Sequence, residues 1–135
     1  MAERRDSMLW PAIALVAAQV VHGAVPVSKD HVDSEGPIGL IGGILLLGLS
    51  VAALVGILQD RPYGRPLAAR TGLVVSLGFI AYHAVPFTSW FTNPYLGKPV
   101  GVPGWISVGL AIGAGFWCAW EGRALFSRRP SPAAA

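Results

Sequence analysis

Four long apolar stretches make up most of this 135-residue chain and constrain its fold more than any other feature. They cover residues 8–25, 37–58, 67–87 and 104–120. About 20 mainly apolar residues are needed to cross a hydrocarbon layer about 30 Å thick. A helix of a soluble protein carries one polar face, and these stretches carry none. The sequence therefore predicts an all-α integral membrane protein, with four transmembrane helices in an up-down bundle surrounded by the lipid bilayer.

The uneven distribution of positive charge predicts the orientation of the chain. Eight of the ten Lys and Arg residues are arginines, located in the two terminal tails and around the connection between the second and third stretches. The other two connections contain one lysine each, Lys29 and Lys98. Cytoplasmic segments of membrane proteins are enriched in Lys and Arg. We therefore expect a multi-pass protein of the cell membrane with both termini in the cytoplasm, and no nucleic-acid partner despite the net charge of +3.

The domain organisation is simple. We expect one four-helix transmembrane domain over residues 1–126 and a disordered cytoplasmic tail over residues 127–135, where proline and alanine follow two arginines. Cys118 is the only cysteine, which excludes an intrachain disulfide and a cysteine-based metal cluster.

The two halves of the chain share a short motif. Residues 22–28 read His-Gly-Ala-Val-Pro-Val-Ser and residues 83–89 read His-Ala-Val-Pro-Phe-Thr-Ser. The motifs lie about two spans apart, so a duplicated helical hairpin would keep the same orientation in both halves. The alternative is a chance match of seven residues with one gap. The pattern favours a parallel 2+2 internal repeat.

Small residues at four-residue spacing predict how the helices associate. Gly39 and Gly43 form one such pair in the second span, and Gly109 and Gly113 form another in the fourth. Such spacing lets helix backbones approach closely in lipid. The fourth span also carries small residues on a second face, more than one neighbouring helix requires. We therefore expect a homo-oligomer or partner membrane subunits, unless the glycines only reflect the high glycine content of membrane helices.

Two histidines are the main candidates for function. His22 and His83 each lie three or four residues before a proline at the end of an odd-numbered span, and Gln19 shares a helix face with His22. Polar side chains inside membranes usually face the bundle interior and carry function. The pair could bind haem b, a divalent metal or a proton. The alternative is that each ring only hydrogen-bonds nearby backbone.

A second metal-binding candidate is the acidic connection after the first span. It contains carboxylates and an imidazole at close spacing, and together with the two intramembrane histidines it could supply oxygen and nitrogen ligands. The candidate metal ligands are His22, His83, His31, Asp30, Asp33 and Glu35. The alternative is a solvated loop that also caps the next helix.

Constellations typical of enzymes are missing from the sequence. There is no glycine-rich phosphate loop, no pair of intramembrane carboxylates and no credible Ser-His-Asp spacing. We therefore expect a small non-catalytic membrane protein that works within an oligomer or larger complex, with its centre at the histidine pair. The alternatives are a haem b electron carrier and a small solute or metal-ion transporter.

Overall fold

The described part of the chain is all-helical. The computed structural model describes residues 2–25, 37–84, 96 and 100–126, with side chains for 7–25, 39–84, 96 and 100–123. Its elements are α1 (Ala2–Ala24), α2 (Pro37–Leu58), α3 (Gly64–Phe79), a π-helical turn (Ile80–Ala84) that continues α3, and α4 (Val102–Phe126).

Four segments are long and apolar enough to cross a membrane. They are 18, 20, 21 and 22 residues long and run over Ser7–Ala24, Gly39–Leu58, Gly64–Ala84 and Val102–Arg123. Their outward faces carry large apolar side chains such as Leu40 and Ile44, each about 60% exposed in the isolated chain. Lipid can cover such a surface at no cost, whereas water cannot. The predicted all-α class with four spanning segments is confirmed, and it is compatible with a membrane protein.

Several helix ends differ from the predicted spans; α1, for example, begins at Ala2 rather than at residue 8. α3 begins at Gly64 rather than at residue 67, because Pro66 lies in its first turn, where the missing N–H leaves no helical hydrogen bond unmade. α4 continues to Phe126, beyond the predicted end at residue 120. The predicted tail, residues 127–135, lies outside the described residues.

Each helix packs against two neighbours in a closed ring. α3 and α4 share the most extensive contact, followed by α1 with α4, α2 with α3, and α1 with α2, while α1 and α3 touch only slightly across the ring. One apolar cluster joins the start of α1, the end of α2 and the start of α3. A second joins the middle of α1, α3 and α4 around the buried residues Leu15, Val75 and Cys118.

The α3–α4 contact is made by backbone rather than by large side chains. A methyl group placed on Gly72 would lie 2.6 Å from the carbonyl oxygen of Gly115 and 2.6 Å from Cβ of Cys118. Farther along the same pair, a methyl group on Gly122 would collide with Ala69. Small residues bring helices together in this way where lipid removes the hydrophobic driving force.

A tight turn joins α2 to α3. Asp60 has a φ of 56°, and the backbone N–H of Arg61 donates to Gly56 O at 2.8 Å while that of Asp60 donates to Ile57 O at 3.1 Å. This is the Schellman pattern, which satisfies the last carbonyls of a helix. Beyond the turn, a methyl group on Gly64 would meet the backbone of Gly56 at 2.5 Å, so the hairpin closes backbone to backbone.

The four glycines predicted to mediate packing do not behave alike. Gly39 lies directly against the hydroxyl of Tyr82. Gly43, Gly109 and Gly113 face outward, and no atom of the described chain would lie within 4 Å of a methyl group placed on them. The close contacts inside this chain are made by other glycines, and a role of these three in assembly stays a prediction about a partner.

Candidate functional site

The two intramembrane histidines meet at one end of the helix ring, which we call the histidine end. His22 lies in the last turn of α1 and His83 in the π-helical turn after α3. Their ring centroids are 5.2 Å apart and the rings meet edge to face at 68°. His83 is only 3% exposed, and His22 is partly buried. The structure thus brings together the two residues that the duplicated motif singled out.

The opposite end of the ring, which we call the arginine end, carries a different set of residues. It comprises the α2–α3 turn, the start of α3 and the end of α4, with Arg61, Arg65, Arg70 and Arg123. The contact of Ala69 with Gly122 places the last two arginines at a similar level on neighbouring helices.

A π-helical turn presents His83. In Ile80–Ala84 the helix widens by one residue per turn relative to α3. Such turns are rare and occur frequently at functional sites. No residue pattern in the sequence predicted it, because the turn differs from α-helix only in its hydrogen-bond register. Lower on α3, the buried hydroxyl of Ser76 donates to Ile112 O on α4 at 2.8 Å, so it serves the helix contact.

A serine on α4 forms a hydrogen bond with His22. His22 Nδ1 lies 3.0 Å from Ser107 Oγ, and Ser107 Oγ donates its hydrogen to Gly104 O at 2.8 Å. When that hydroxyl donates to Gly104 O, its oxygen accepts from Nδ1–H of His22, which is the tautomer with the lone pair on Nε2. Ser107 is buried, and in the sequence it is one of the small residues of the fourth span.

Aromatic rings enclose the pair. Phe79 lies 4.8 Å from His22 and 5.6 Å from His83 between ring centroids, and Tyr82 lies 4.9 Å from His83. The Nδ1 atom of His83 is enclosed by the protein. A third apolar cluster, centred on Val108, adds Val25, Val100 and Ile112 around Phe79. The site is thus a polar pair inside an apolar ring cage, where electrostatic interactions are stronger than in water.

Gln19 faces a different neighbour from the one expected. Its amide nitrogen donates to Ser50 Oγ at 2.7 Å and to Leu15 O at 3.2 Å, and Ser50 in turn donates to Leu46 O at 2.8 Å. The side chain is buried and ties α1 to α2. Its predicted part in cofactor binding stays a prediction, whereas its hydrogen bonds serve the α1–α2 contact.

The other predicted metal ligands cannot be placed. Asp30, His31, Asp33 and Glu35 lie outside the described residues. Within residues 2–25, 37–84, 96 and 100–126, no group of three or more His, Cys, Asp and Glu residues could hold a metal ion. Of the predicted metal ligands, only His22 and His83 lie within the described residues.

The ring separation restricts what the pair can hold. With metal–nitrogen distances of about 2.0–2.1 Å, two imidazoles on one tetrahedral ion have centroids about 5.2 Å apart, and two on opposite sides of an ion about 6.4 Å. The observed 5.2 Å equals the first value, and it is also an ordinary separation for two rings packed edge to face. Rings in edge contact also leave no space for a flat macrocycle between them.

No protein-family model, no curated protein and no solved structure matches this chain. Its function is therefore inferred from its own residues and their geometry.

Proposed function

We propose that this chain is a small, non-catalytic integral protein of the cell membrane whose centre is a ligand-binding site formed by His22 and His83. One observation carries the proposal: imidazoles from two different helices meet at 5.2 Å within segments apolar enough to span a bilayer. Polar rings are costly in such surroundings and are retained where they bind or relay something.

The local structure supports a functional rather than a packing role for the pair. The hydroxyl of Ser107 already bonds to Gly104 O, so that bond does not need His22. The contacts of the two rings with Phe79 are apolar contacts that a phenyl ring would make equally well. His22 Nδ1 bonds to Ser107 Oγ, and a phenyl ring could make the remaining ring contacts, so the choice of imidazole at both positions supports a binding role.

We place the histidine end on the outer side of the membrane, in an up-down bundle with both termini cytoplasmic. The arginines gathered at the opposite end support this orientation, and so does the exposure of Trp117 and Trp120 near that end, where aromatic side chains favour the headgroup layer. In a Cys118→Ser background, we expect Leu96→Cys to react with an impermeant maleimide from outside and Ser131→Cys to be protected. The reverse labelling would overturn the orientation.

We also propose a parallel 2+2 repeat and assembly into a homo-oligomer or with partner subunits. The repeat is supported by the equivalent positions of His22 and His83, one at the end of each first helix of a pair. Assembly is supported by the outward position of Gly43, Gly109 and Gly113. A strictly monomeric mass by light scattering in mild detergent would contradict the homo-oligomer.

Replacement of the imidazoles by phenyl rings tests the proposed centre. We expect His22→Phe and His83→Phe, singly and together, to unfold at the same temperature as the unmodified protein or higher, because phenyl removes the cost of burying polar nitrogen. As a matched control, Phe79→Ala should lose about 3 kcal/mol through a cavity in the same cage. A loss of about 1–3 kcal/mol in both phenylalanine variants would instead give the pair a structural role.

A solute or metal-ion transporter is the second candidate. Its support is weaker, because the buried hydroxyls of Ser50 and Ser76, farther along the helices than the histidines, are used in hydrogen bonds of the helix packing. Uptake of zinc into proteoliposomes that depends on both imidazoles would support it. Uptake unchanged by His22→Ala and His83→Ala would remove the pair from any such pathway.

The haem b alternative agrees less well with the geometry. Axial histidines on opposite haem faces need a wider separation than the 5.2 Å observed, and they need a gap rather than ring contact. An optical spectrum of the purified membrane protein with a haem band that disappears in His83→Phe would restore this alternative.

A further inference from the structure

We infer that the ligand of the pair is a divalent transition-metal ion of the zinc and copper type, bound through Nε2 of His22 and a ring nitrogen of His83, with Ser107 as the residue that positions His22. This inference rests on the proposed function and adds to it the chemical class of the ligand.

The first support is the hydrogen-bond chain behind His22. Histidines that bind metals almost always donate their other ring N–H to an oxygen acceptor, which fixes the tautomer and ring orientation. Here Nδ1 of His22 donates to Ser107 Oγ, which is itself held by Gly104 O at 2.8 Å. The lone pair of His22 is thereby assigned to Nε2, which is the atom that binds the ion.

The second support is the distance between the rings. The observed 5.2 Å needs no movement of α1 against α3 for the two rings to share one tetrahedral ion. For both rings to direct a nitrogen at one ion, the edge-to-face contact must open by rotation of an imidazole about its Cβ–Cγ bond.

The third support is ligand chemistry. Imidazole suits zinc, copper and nickel, whereas magnesium and calcium require oxygen ligands. Two imidazoles leave two positions of a tetrahedral ion for other ligands, so the site differs from a closed structural zinc site, in which the protein supplies all four ligands. The aromatic cage of Phe79 and Tyr82 limits access to those positions.

Metal titration of the full-length protein in nanodiscs, on a purification tag without histidine, tests this inference. We expect one equivalent of Zn²⁺ or Co²⁺ to bind, with visible absorption of Co²⁺ typical of tetrahedral coordination, and no binding of Mg²⁺ or Ca²⁺. His22→Gln and His83→Gln should abolish binding. His31→Gln, which changes the remaining histidine of the chain, should leave the affinity unchanged.

Ser107 variants test the positioning role separately. Ser107→Ala should weaken metal binding by about 10–100-fold, the usual effect of removing the partner of a metal-binding histidine, while Ser107→Thr, which retains a hydroxyl, should restore it. A purely structural role of Ser107 would lower the melting temperature of Ser107→Ala and leave the dissociation constant for Zn²⁺ unchanged.

The outcomes separate the two proposals. If the phenylalanine variants keep their stability but the unmodified protein binds neither Zn²⁺ nor Co²⁺, the metal assignment is wrong and the ligand-binding centre stands. If metal binds but is lost only in His31→Gln, the ion belongs elsewhere and the assignment to this pair is wrong. If the phenylalanine variants are destabilised and no metal binds, both proposals fail.

Discussion

The two ends of this helix ring are packed by different means. Toward the arginine end, α3 meets α4 and α2 through glycine and alanine, with backbone atoms in direct contact at Gly72, Gly115 and Gly64. At the histidine end, the same α3 widens into a π-helical turn and fills the space with rings and hydrogen bonds. The contrast separates a region specialised for close association from a region where polar groups are retained despite their cost.

The largest expected effect concerns the contact of Gly72 on α3 with Gly115 on α4. Gly72→Leu should destabilise the fold by about 3 kcal/mol, because the new side chain has no room against Gly115 and Cys118. Gly113→Leu is the matched control on an outward face, and we expect it to leave the unfolding of the monomer unchanged. Equilibrium unfolding in detergent micelles measures both. Equal effects at the two positions would contradict the idea that the α3–α4 contact holds the ring together.

An intermediate effect is expected midway between the ends, where Gln19 bonds to Ser50. Gln19→Leu and Ser50→Ala should each lower stability, and a double-mutant cycle should give a coupling of about 0.6–1.7 kcal/mol, the range for interhelical hydrogen bonds in membranes. The same cycle applied to Gln19 and His22 should give no coupling. Coupling with His22 instead would return Gln19 to the ligand site where the sequence placed it.

The sequence was sufficient to predict the four apolar helices and to predict that the two histidines lie close together. The lengths of the apolar segments follow from hydropathy. The two histidines lie at similar depth because each precedes a proline at the end of a span, and the two spans run in the same direction. Rotation of each helix about its axis does not follow from these features. α4 has small residues on two faces, and only the structure shows that Gly115 packs inside while Gly109 and Gly113 face outward.

Two components of the site leave no recognisable pattern in the sequence. Ser107 lies 85 residues from His22, and nothing in its local sequence distinguishes it from a small packing residue. The π-helical turn is equally hidden, because Ile80–Ala84 has an ordinary apolar composition. The Ser107 bond is a consequence of how α1 and α4 meet at the histidine end, and a single sequence contains no record of that meeting.

The smallest expected effect concerns Asp60, in the turn at the arginine end. Asp60 adopts a left-handed conformation at a position where most helices place glycine, so Asp60→Gly should stabilise the fold by up to about 1 kcal/mol in the same unfolding assay. Asp60→Asn separates conformation from charge, since asparagine also tolerates this region, and we expect it to be neutral. Destabilisation by both variants would mean that the contacts of the Asp60 carboxylate stabilise the fold by more than its backbone strain costs. The arginine end would then be held by polar interactions as well as by close backbone packing.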